Sequence, residues 1–419
     1  MINNILLILI FLVFLFLGLP VGFAIILSTL SGLIIQQEPL ALISQRFFTA
    51  IDSFSLMAIP LFMFAGSIMS KGTITKRLID FALVIFYKSR GALAKVVTVT
   101  GIVMGGISGS GVADTAALGS ILFPEMKDRN YDQGFSAAVI ASSGSIGLII
   151  PPSIALIVYG VSTQTSIGDL FMGGLIPGVL IGLCFLLYCH FVATKNNYPK
   201  ENNISKEEKI KKFKDSIFAL FMPIIIIVGI RGGIFTPTEG GAIVSVYALI
   251  ISIFVYKDIK LKDLKSICLD AALSTAAITL IICATSALTW FLASNEIPQR
   301  VSMYIISLTD NKLALILLMS ILLLIVGMFI DSSPAIMMLS PILYPIASSI
   351  GINPVQFGVF MVILLTVGLL TPPVGTALYV VSNISKISIE KISKSLMPFW
   401  FIMIAVAIFV ALFPILTLS

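Results

Sequence analysis

The sequence predicts an all-α polytopic membrane protein built from two inverted repeats, and three observations lead to this fold class. Of the 419 residues, 58% are hydrophobic and only 11% are charged, whereas soluble domains carry about 25% charged residues. Uncharged apolar runs such as residues 5–18 and 313–330 recur along the chain, as in helices that lie in a bilayer. The main motifs of the first half also return, in the same order, in the second half.

The distribution of lysine and arginine predicts the orientation. By the positive-inside rule, four basic segments are expected in the cytoplasm: residues 70–95, 195–215, 257–265 and 386–394. Residues 161–168 and 232–241 contain no lysine or arginine and are expected outside. The net charge of +6 comes from these short segments, so it does not indicate nucleic-acid binding. MINN at the start lacks the positive residues of a cleavable signal peptide.

An internal repeat is visible in the spacing of the motifs. GLIIPPS at residues 147–153 returns as GLLTPPV, 221 positions later. Asp114 and Asp331, each near a Gly/Ser-rich or Ser-rich break, are 217 positions apart. Three further pairs follow the same order: Pro124 with Pro341, Pro20 with Pro237, and Arg77 with Arg300. The shared order predicts a tandem structural repeat.

The first half is expected to cross the membrane five times. These crossings lie near residues 5–18, 20–35, 53–70, 134–160 and 170–192. The stretch 96–124 has cytoplasmic ends, so it is predicted to be a re-entrant hairpin with GSGVAD at its tip. An odd number of crossings inverts the second half, whose hairpin near 312–345 would enter from outside with FIDSSP at its tip. Amphipathic stretches 79–95 and 300–312 are expected to lie along the membrane interface.

The breaks in these apolar segments predict a ligand site. Non-helical backbone at membrane depth is tolerated only beside protein or a water-filled cavity. Glycines allow close approach of the backbone, prolines free carbonyls, and serine or threonine hydroxyls complete an oxygen shell for a hard cation. Small residues in membrane helices are also common packing surfaces. An aspartate at both tips favours the ligand site, because intramembrane carboxylates are costly.

Other polar or reactive residues are expected to have structural roles. The four cysteines (Cys184, Cys189, Cys268, Cys283) lie in apolar runs and are predicted to be small core residues. His190 is expected at a helix boundary, and Trp290 and Trp400 are expected to pack or to anchor at the interface. The charged segment 195–215 is expected to be solvated.

Three longer stretches carry a resemblance to a known family. They are GGIFTPTEGGAIVSVYAL, SGSGVADTAALGSILFPEMKDRNYDQGFSAAVIASSGSIGLIIPPS, and GMFIDSSPAIMMLSPILYP followed by LLTPPVG. In these motifs the whole chain resembles the large membrane (M, DctM-like) subunit of tripartite ATP-independent periplasmic (TRAP) transporters. The family more often has alanines where this chain has Gly240 and Gly241, which we interpret as a packing difference.

The resemblance implies a sodium-coupled importer of carboxylated solutes, in the bacterial inner membrane, that works as an elevator. It implies two partners, a small four-helix membrane (Q-type) subunit and a periplasmic substrate-binding (P-type) protein, with Na⁺ as coupling ion and no other cofactor. C4-dicarboxylates, sialic acid and other sugar acids all remain open as substrates. The implied division is scaffold at 1–70 and 216–294, cytoplasmic loop at 193–215, and arm helix with transport-domain half at 71–192 and 295–419.

The resemblance also implies the ligand residues. One sodium ion would lie between the first tip and the first break, held by Ser108, Ser110, Gly144, Gly147 and Ile150. A second would lie near Gly327, Gly368 and Thr371, and substrate near Ser110, Ser153 and Asp331. Structural support near the site would come from Asp114, Pro151, Pro152, Pro372 and Pro373. Asp114 is expected to brace its hairpin through Thr115 or backbone N–H groups.

The charges support cation coupling independently of the resemblance. No lysine or arginine lies in the predicted midplane segments, but two aspartates do. An anionic substrate there would face uncompensated negative charge at low dielectric, and bound cations would offset it.

Three other functions are considered. A rhomboid-type protease would use Ser108 of the GxSG motif, but it needs a nearby histidine base and His190 is predicted at the far end of its helix. A channel is a further alternative, but closed ligand shells in inverted repeats suit a transporter with alternating access better. A divalent-anion/sodium symporter without a binding protein has a similar architecture, but the FTPTE and IPPS motifs favour the tripartite family.

Overall fold

The computed structural model describes residues 2–201, 205–309 and 311–417. These residues form nineteen α-helices and no strand. The helices of the first half are α1 (Ile2–Phe16), α2 (Val21–Ile35), α3 (Ala41–Ile51), α4 (Ala58–Lys71), α5 (Ile74–Phe86), α6 (Ala92–Ser108), α7 (Gly111–Asp128), α8 (Gln133–Ser145), α9 (Ile154–Thr163) and α10 (Ile167–Lys195). Those of the second half are α11 (Lys206–Arg231), α12 (Pro237–Ile250), α13 (Leu264–Ser294), α14 (Ile297–Leu308), α15 (Lys312–Phe329), α16 (Ser332–Ser349), α17 (Pro354–Gly368), α18 (Thr376–Ser385) and α19 (Ile389–Leu412).

The membrane-spanning character comes from long apolar helices together with shorter, interrupted ones. Seven helical segments in the described residues are long and apolar enough to cross a membrane. Four apolar helices are shorter, and three of these (α6, α9 and α17) belong to the predicted hairpin or breaks. The polytopic all-α prediction is therefore confirmed, and the short helices lie where the glycine and proline motifs interrupt the chain.

Helix order repeats between the two halves. The first residues of α5 to α10 and of α14 to α19 differ by 220 to 223 positions, helix by helix. The order includes one helical hairpin (α6–α7, then α15–α16) and one interrupted segment (α8–α9, then α17–α18) in each half. The opposite orientation of the two halves in the membrane stays a prediction.

The hairpins and interrupted helices of the two halves pack against each other. In one pair of contacts α7 packs on α18, and in the matching pair α16 packs on α9. Helices α8 and α10 contact α19 and α17 in the same crosswise manner. These contacts bring both hairpins and both breaks into one packed unit.

A second group of helices surrounds α13. It contacts α2, α3 and α4, while α12 packs on α4 and α11. Helices α5 and α14 connect the two groups, since α5 contacts both α11 and α6, and α14 contacts both α13 and α16. The predicted arm helices begin a few residues earlier than the amphipathic stretches 79–95 and 300–312, at Ile74 and Ile297. The end of the stretch 79–95 already belongs to α6.

The helices differ from the sequence-based expectation in two places. Helix α3 was not predicted; it has no buried residue and precedes a 3₁₀ turn at Phe54–Met57. The predicted loop 193–215 is shorter, because α10 continues to Lys195 and Ser205 caps α11 by accepting a hydrogen bond from the N–H of Glu208 at 3.1 Å. Hydroxyl caps of this kind stabilise a helix start even in a lysine-rich segment.

The basic segment is also not simply solvated. The ammonium group of Lys212 lies 3.3 Å from the Asp80 carboxylate of α5, and the Glu201 carboxylate forms an ion pair with Arg129. The Arg77 guanidinium stacks 3.8 Å from the centre of the Tyr256 ring. The Lys212–Asp80 pair joins α11 to α5, the Arg129–Glu201 pair joins the end of α7 to the connection before α11, and Tyr256 packs on α5 from the end of the α12 segment.

The prediction for the cysteines holds in part. Cys189 and Cys283 are buried, as expected for small core residues, and Cys184 is half-buried. Cys268 is exposed, which contradicts the expectation. It lies in the first part of α13, where Leu269 and Leu273 are also exposed.

Candidate functional site

The tip of the first hairpin is a turn of two residues, Gly109 and Ser110, between two helices. Helix α6 ends at Ser108, Gly109 adopts a left-handed conformation with φ of +61°, and Ser110 caps α7. The left-handed region is accessible to glycine at little cost. A Cβ at Gly109 would also lie only 2.5 Å from the carbonyl oxygen of Pro152. The tip is therefore pressed directly against the first PP break.

Asp114 lies in the first turn of α7 and is 1% exposed. Its Oδ1 accepts a hydrogen bond from the Ser108 hydroxyl at 2.7 Å. The predicted bracing through Thr115 or backbone N–H groups is wrong, since Thr115 donates to the carbonyl of Gly111 at 2.7 Å, one helical turn earlier. The carboxylate instead ties the end of α6 to the start of α7.

The other oxygen of Asp114, Oδ2, is buried and has no hydrogen-bond partner among the described residues. It faces Gly147 of the first break, where a Cβ would approach it to 2.6 Å. A buried ionised oxygen without a partner carries a large desolvation cost. The position therefore suits a bound cation, and Ser108 and Gly147 adjoin it.

Glycines bring the first hairpin and the first break into backbone contact. A Cβ added to Gly105 would lie 2.4 Å from the Cα of Gly147. A Cβ on Gly144 would lie 2.4 Å from the Oγ1 of Thr115. Any larger residue at these positions would force the two elements apart. The predicted sodium ligands Ser108, Gly144 and Gly147 thus lie together.

The far end of the first break is closed. Ser153 is fully buried and caps α9, accepting a hydrogen bond from the N–H of Leu156 at 3.2 Å and donating to the carbonyl of Leu148. Ile150 is 3% exposed, with its side chain packed against Gly178 of α10. The Ser153 hydroxyl, predicted to contact substrate, is engaged within the break. The Pro151–Pro152 and Pro372–Pro373 peptide bonds are both cis.

The second tip repeats this arrangement with different side chains. Asp331 is half-buried and caps α16, with its Oδ1 accepting from the N–H of Ser332 at 2.9 Å. A Cβ on Gly368 would lie 2.4 Å from the carbonyl carbon of Gly327. The Val374 N–H donates to the Met328 carbonyl at 3.1 Å. Thr371 bonds to the Val367 carbonyl at 2.7 Å.

The two tip acids do not occupy equivalent positions. The structural register between the hairpins is 221, since α7 begins at Gly111 and α16 at Ser332. Asp331 therefore matches Ser110, which is also a helix cap, and Pro124 matches Pro345 rather than Pro341. The pairing of Asp114 with Asp331 at an offset of 217 is wrong, because it is shifted from the structural register by four residues, about one helical turn.

A cavity of about 200 Å³ borders the first tip. Its walls come from the tip and from α4 and α13: Ser108, Ser110, Ala113, Met63, Gly66, Ser67, Ser70, Lys71, Asp270 and Ser274. Both α4 and α13 contribute the ends that the charge pattern assigns to the cytoplasm. Ser110 is the predicted substrate and sodium ligand that this cavity reaches.

The serine-protease alternative lacks its base. The Nδ1 of His190 lies 2.9 Å from the ammonium group of Lys95. Lys95 is near the start of α6 and Ser108 at its end, thirteen residues or about 20 Å along the helix. Ser108 has an aspartate as its partner, so the GxSG sequence forms a helix end and not a nucleophile.

One charged residue near the packed unit was missed. Arg46 lies on α3, and its guanidinium is 4.9 Å from the centre of the Trp290 ring. The signal was present in ALISQRFFTAI, an amphipathic stretch between two predicted crossings. The stretch is too short to cross the membrane and its helix has no buried residue, so composition alone does not distinguish it from a loop.

Comparison with known proteins decides the family. Residues 8–416 match the DctM component of the tripartite ATP-independent periplasmic transporters. The chain belongs to this family. Its members are transporter permeases, so the chain is not an enzyme but a multi-pass protein of the bacterial inner membrane.

Named TRAP relatives match over nearly the whole chain. The sialic acid TRAP transporter large permease protein SiaM of Vibrio cholerae is 36% identical over 405 residues, covering 96% of this chain and 95% of that protein. The isethionate TRAP transporter permease protein DctMQ of Oleidesulfovibrio alaskensis is 37% identical, covering 96% of this chain and 64% of that protein.

A solved structure supports the fold alone. The YdaH transporter of Alcanivorax borkumensis aligns with a TM-score of 0.65 at 13% identity, covering 91% of this chain and 88% of that one. The alignment agrees with the helical fold of the chain, and the transporter assignment rests on the family match.

Proposed function

We propose that this TRAP permease is a sodium-coupled importer of small organic anions. The observation that carries the proposal is the unpartnered Oδ2 of Asp114, buried beside Ser108 and Gly147 where the first hairpin meets the first break. A carboxylate, a hydroxyl and nearby backbone carbonyls are the oxygen ligands that hard cations prefer. Sodium binding there would offset the desolvation of the carboxylate.

The second break supports a second sodium ion. Gly327 and Gly368 are in close backbone contact, and Thr371 adds a hydroxyl one turn beyond the end of α17. Helix ends expose carbonyl oxygens that have no intrahelical partner. We assign the second ion to Gly327, Gly368 and Thr371, and the first to Ser108, Ser110, Gly144, Gly147 and Ile150 together with Asp114.

The substrate class follows from charge and from the relatives. Two relatives are named for sialic acid and isethionate, one a carboxylate and the other a sulfonate. We therefore extend the expected class from carboxylates to small organic anions in general. Ser110 and Asp331, the equivalent caps of the two tips, are assigned to substrate, with Ser153 supporting the break between them.

Movement of the packed unit would carry these sites across the membrane. Helices α5 and α14 join the unit to the group around α13, as arms that permit it to slide. In this conformation the cavity at Ser108 and Ser110 borders the predicted cytoplasmic ends of α4 and α13, which favours an inward-facing state. The partners are a small Q-type membrane subunit and a periplasmic binding protein that delivers the solute.

The test is uptake by the complete complex in proteoliposomes. Solute loaded on the binding protein should enter under an inward sodium gradient, and should not enter under a proton gradient in sodium-free buffer. Uptake that proceeds equally well without the binding protein would favour the divalent-anion/sodium symporter. Uptake driven fully by protons would reject sodium coupling.

A further inference from the structure

A second cavity, of about 510 Å³, borders the last part of α13, whereas the cavity at the first tip borders its beginning. We call it the outer cavity, because its walls include the end of α9 with Gln164 as well as the end of α13, and the charge pattern assigns residues 161–168 to the outside. Met337 and Pro341 of α16, in the second hairpin, complete it. It therefore lies between the packed unit and the helices around α13.

Arg46 is the one basic residue among the described residues that line the outer cavity. Its Nε is buried and has no hydrogen-bond partner in the described part of the chain. Its guanidinium is 4.9 Å from the centre of the Trp290 ring. No ion pair within 4.0 Å joins it to a carboxylate among the described residues, although Asp52 lines the same cavity.

This arrangement has the chemistry of an anion site. A guanidinium presents planar, paired donors that match a carboxylate or a sulfonate, and stacking on an indole fixes its plane. A buried donor left without a partner gains free energy when an acceptor arrives. The remaining walls supply hydroxyl and amide groups suited to a hydroxylated solute: Thr49, Ser162, Gln164, Ser286 and Thr289.

We propose that Arg46 and the hydroxyls around it form an outer binding site for the organic anion, which the solute occupies before it reaches the two tips. The site rests on the proposed function, since the anion is the transported solute. Asp52, which follows the end of α3 and lines the same cavity, is an acceptor for a hydroxyl or amino group of that solute. The combination favours a monoanion that carries hydroxyl groups over a dianion.

The experiment measures anion attraction directly and does not require transport. A cysteine at Ser286→Cys, in a chain whose four native cysteines are alanine, is labelled in right-side-out vesicles without a gradient. The probes are two methanethiosulfonates, one bearing 2-sulfonatoethyl and the other a trimethylammonium group. For each thiol we take the ratio of the rate with the sulfonate reagent to the rate with the cationic reagent. This ratio should be at least fivefold higher for the cysteine at position 286 than for a small exposed thiol.

Variants assign this preference to the arginine. Arg46→Gln should reduce the ratio of the two rates at least fivefold, and Arg46→Lys should retain most of it. Arg300→Gln is the matched control, because Arg300 is an exposed arginine at the start of α14, paired with Glu296 at 3.2 Å on the same predicted side. Its ratio should equal that of the parent.

Two results would overturn the proposal: an unchanged ratio in Arg46→Gln, or a parent protein whose ratio of sulfonate to cationic rate does not exceed that of the small exposed thiol. The second remains decisive if Arg46→Gln fails to reach the membrane. A failure of sodium-driven uptake would leave these labelling rates unaffected, so the outer site and the proposed function are tested separately.

Discussion

Replacement of Gly368 by alanine tests whether backbone contact between hairpin and break creates the second sodium site. The new Cβ would lie 2.4 Å from the carbonyl carbon of Gly327, 2.5 Å from its Cα and 2.7 Å from its oxygen. Real Cβ atoms almost never come closer than 3.0 Å. The two elements must therefore separate by at least ~0.6 Å, since neither contact is a flexible side-chain end.

The magnitude follows from that separation. Overpacking of this kind costs about 1–3 kcal/mol. This cost destabilises the sodium-bound state, in which the two elements close around the ion. The distance from a hard cation to its oxygen ligands varies by only a few tenths of an ångström; for calcium it is about 2.3–2.6 Å. A separation of this size would therefore disrupt the ligand shell. We expect the sodium concentration for half-maximal uptake to rise by about 5- to 150-fold.

The assay is the sodium dependence of uptake by the reconstituted complex, with membrane abundance measured alongside. Gly22→Ala is the matched control, because a Cβ there would meet only ordinary contacts, the nearest at 3.5 Å, and Gly22 lies in α2 outside the packed unit. A Gly368→Ala complex that assembles normally with a sodium curve within twofold of the parent would refute the reasoning.

Three further changes test the tips and the topology. Asp114→Asn keeps an acceptor for the Ser108 hydroxyl but removes the charge at Oδ2, so sodium affinity should fall at least about tenfold at unchanged abundance; an unaltered sodium curve would exclude this carboxylate as a ligand. Asp331→Asn should weaken the apparent affinity for solute by roughly tenfold to a hundredfold, because the loss of one charge-assisted hydrogen bond costs about 1.5–3 kcal/mol. Near-normal transport would leave Asp331 as a helix cap only, a role that asparagine fills as well. Ser205→Cys, placed in the predicted cytoplasmic connection, should not react with an impermeant thiol reagent outside intact cells, and rapid labelling there would reject the assigned orientation.

Much of the fold could be predicted because composition and repeated motifs constrain a membrane protein strongly. Backbone in lipid must satisfy its own hydrogen bonds, so apolar runs become helices and glycine or proline motifs mark their interruptions. The break at residues 147–153 and its counterpart at 368–374 follow from this rule. Helix α3 did not, because a short amphipathic helix with no buried residue resembles a loop in composition.

The candidate site was predicted as a set of segments but not in its contacts. That Ser108 and Gly147 adjoin Asp114 depends on how α7 rotates against the first break, which no local pattern encodes. The wrong pairing of Asp114 with Asp331 has a similar cause, since one helical turn separates Asp114 from the cap Ser110. Arg46 was missed because its role depends on Trp290, which is distant in the chain.

The most direct test of sodium coupling is the steady-state accumulation of solute against an imposed sodium gradient, with the membrane potential clamped at zero. Two sodium sites that load together with one solute predict that accumulation rises as the square of the sodium ratio. A tenfold gradient should therefore concentrate the solute about a hundredfold. Equal solute concentrations inside and outside, whatever the sodium gradient, would contradict the account.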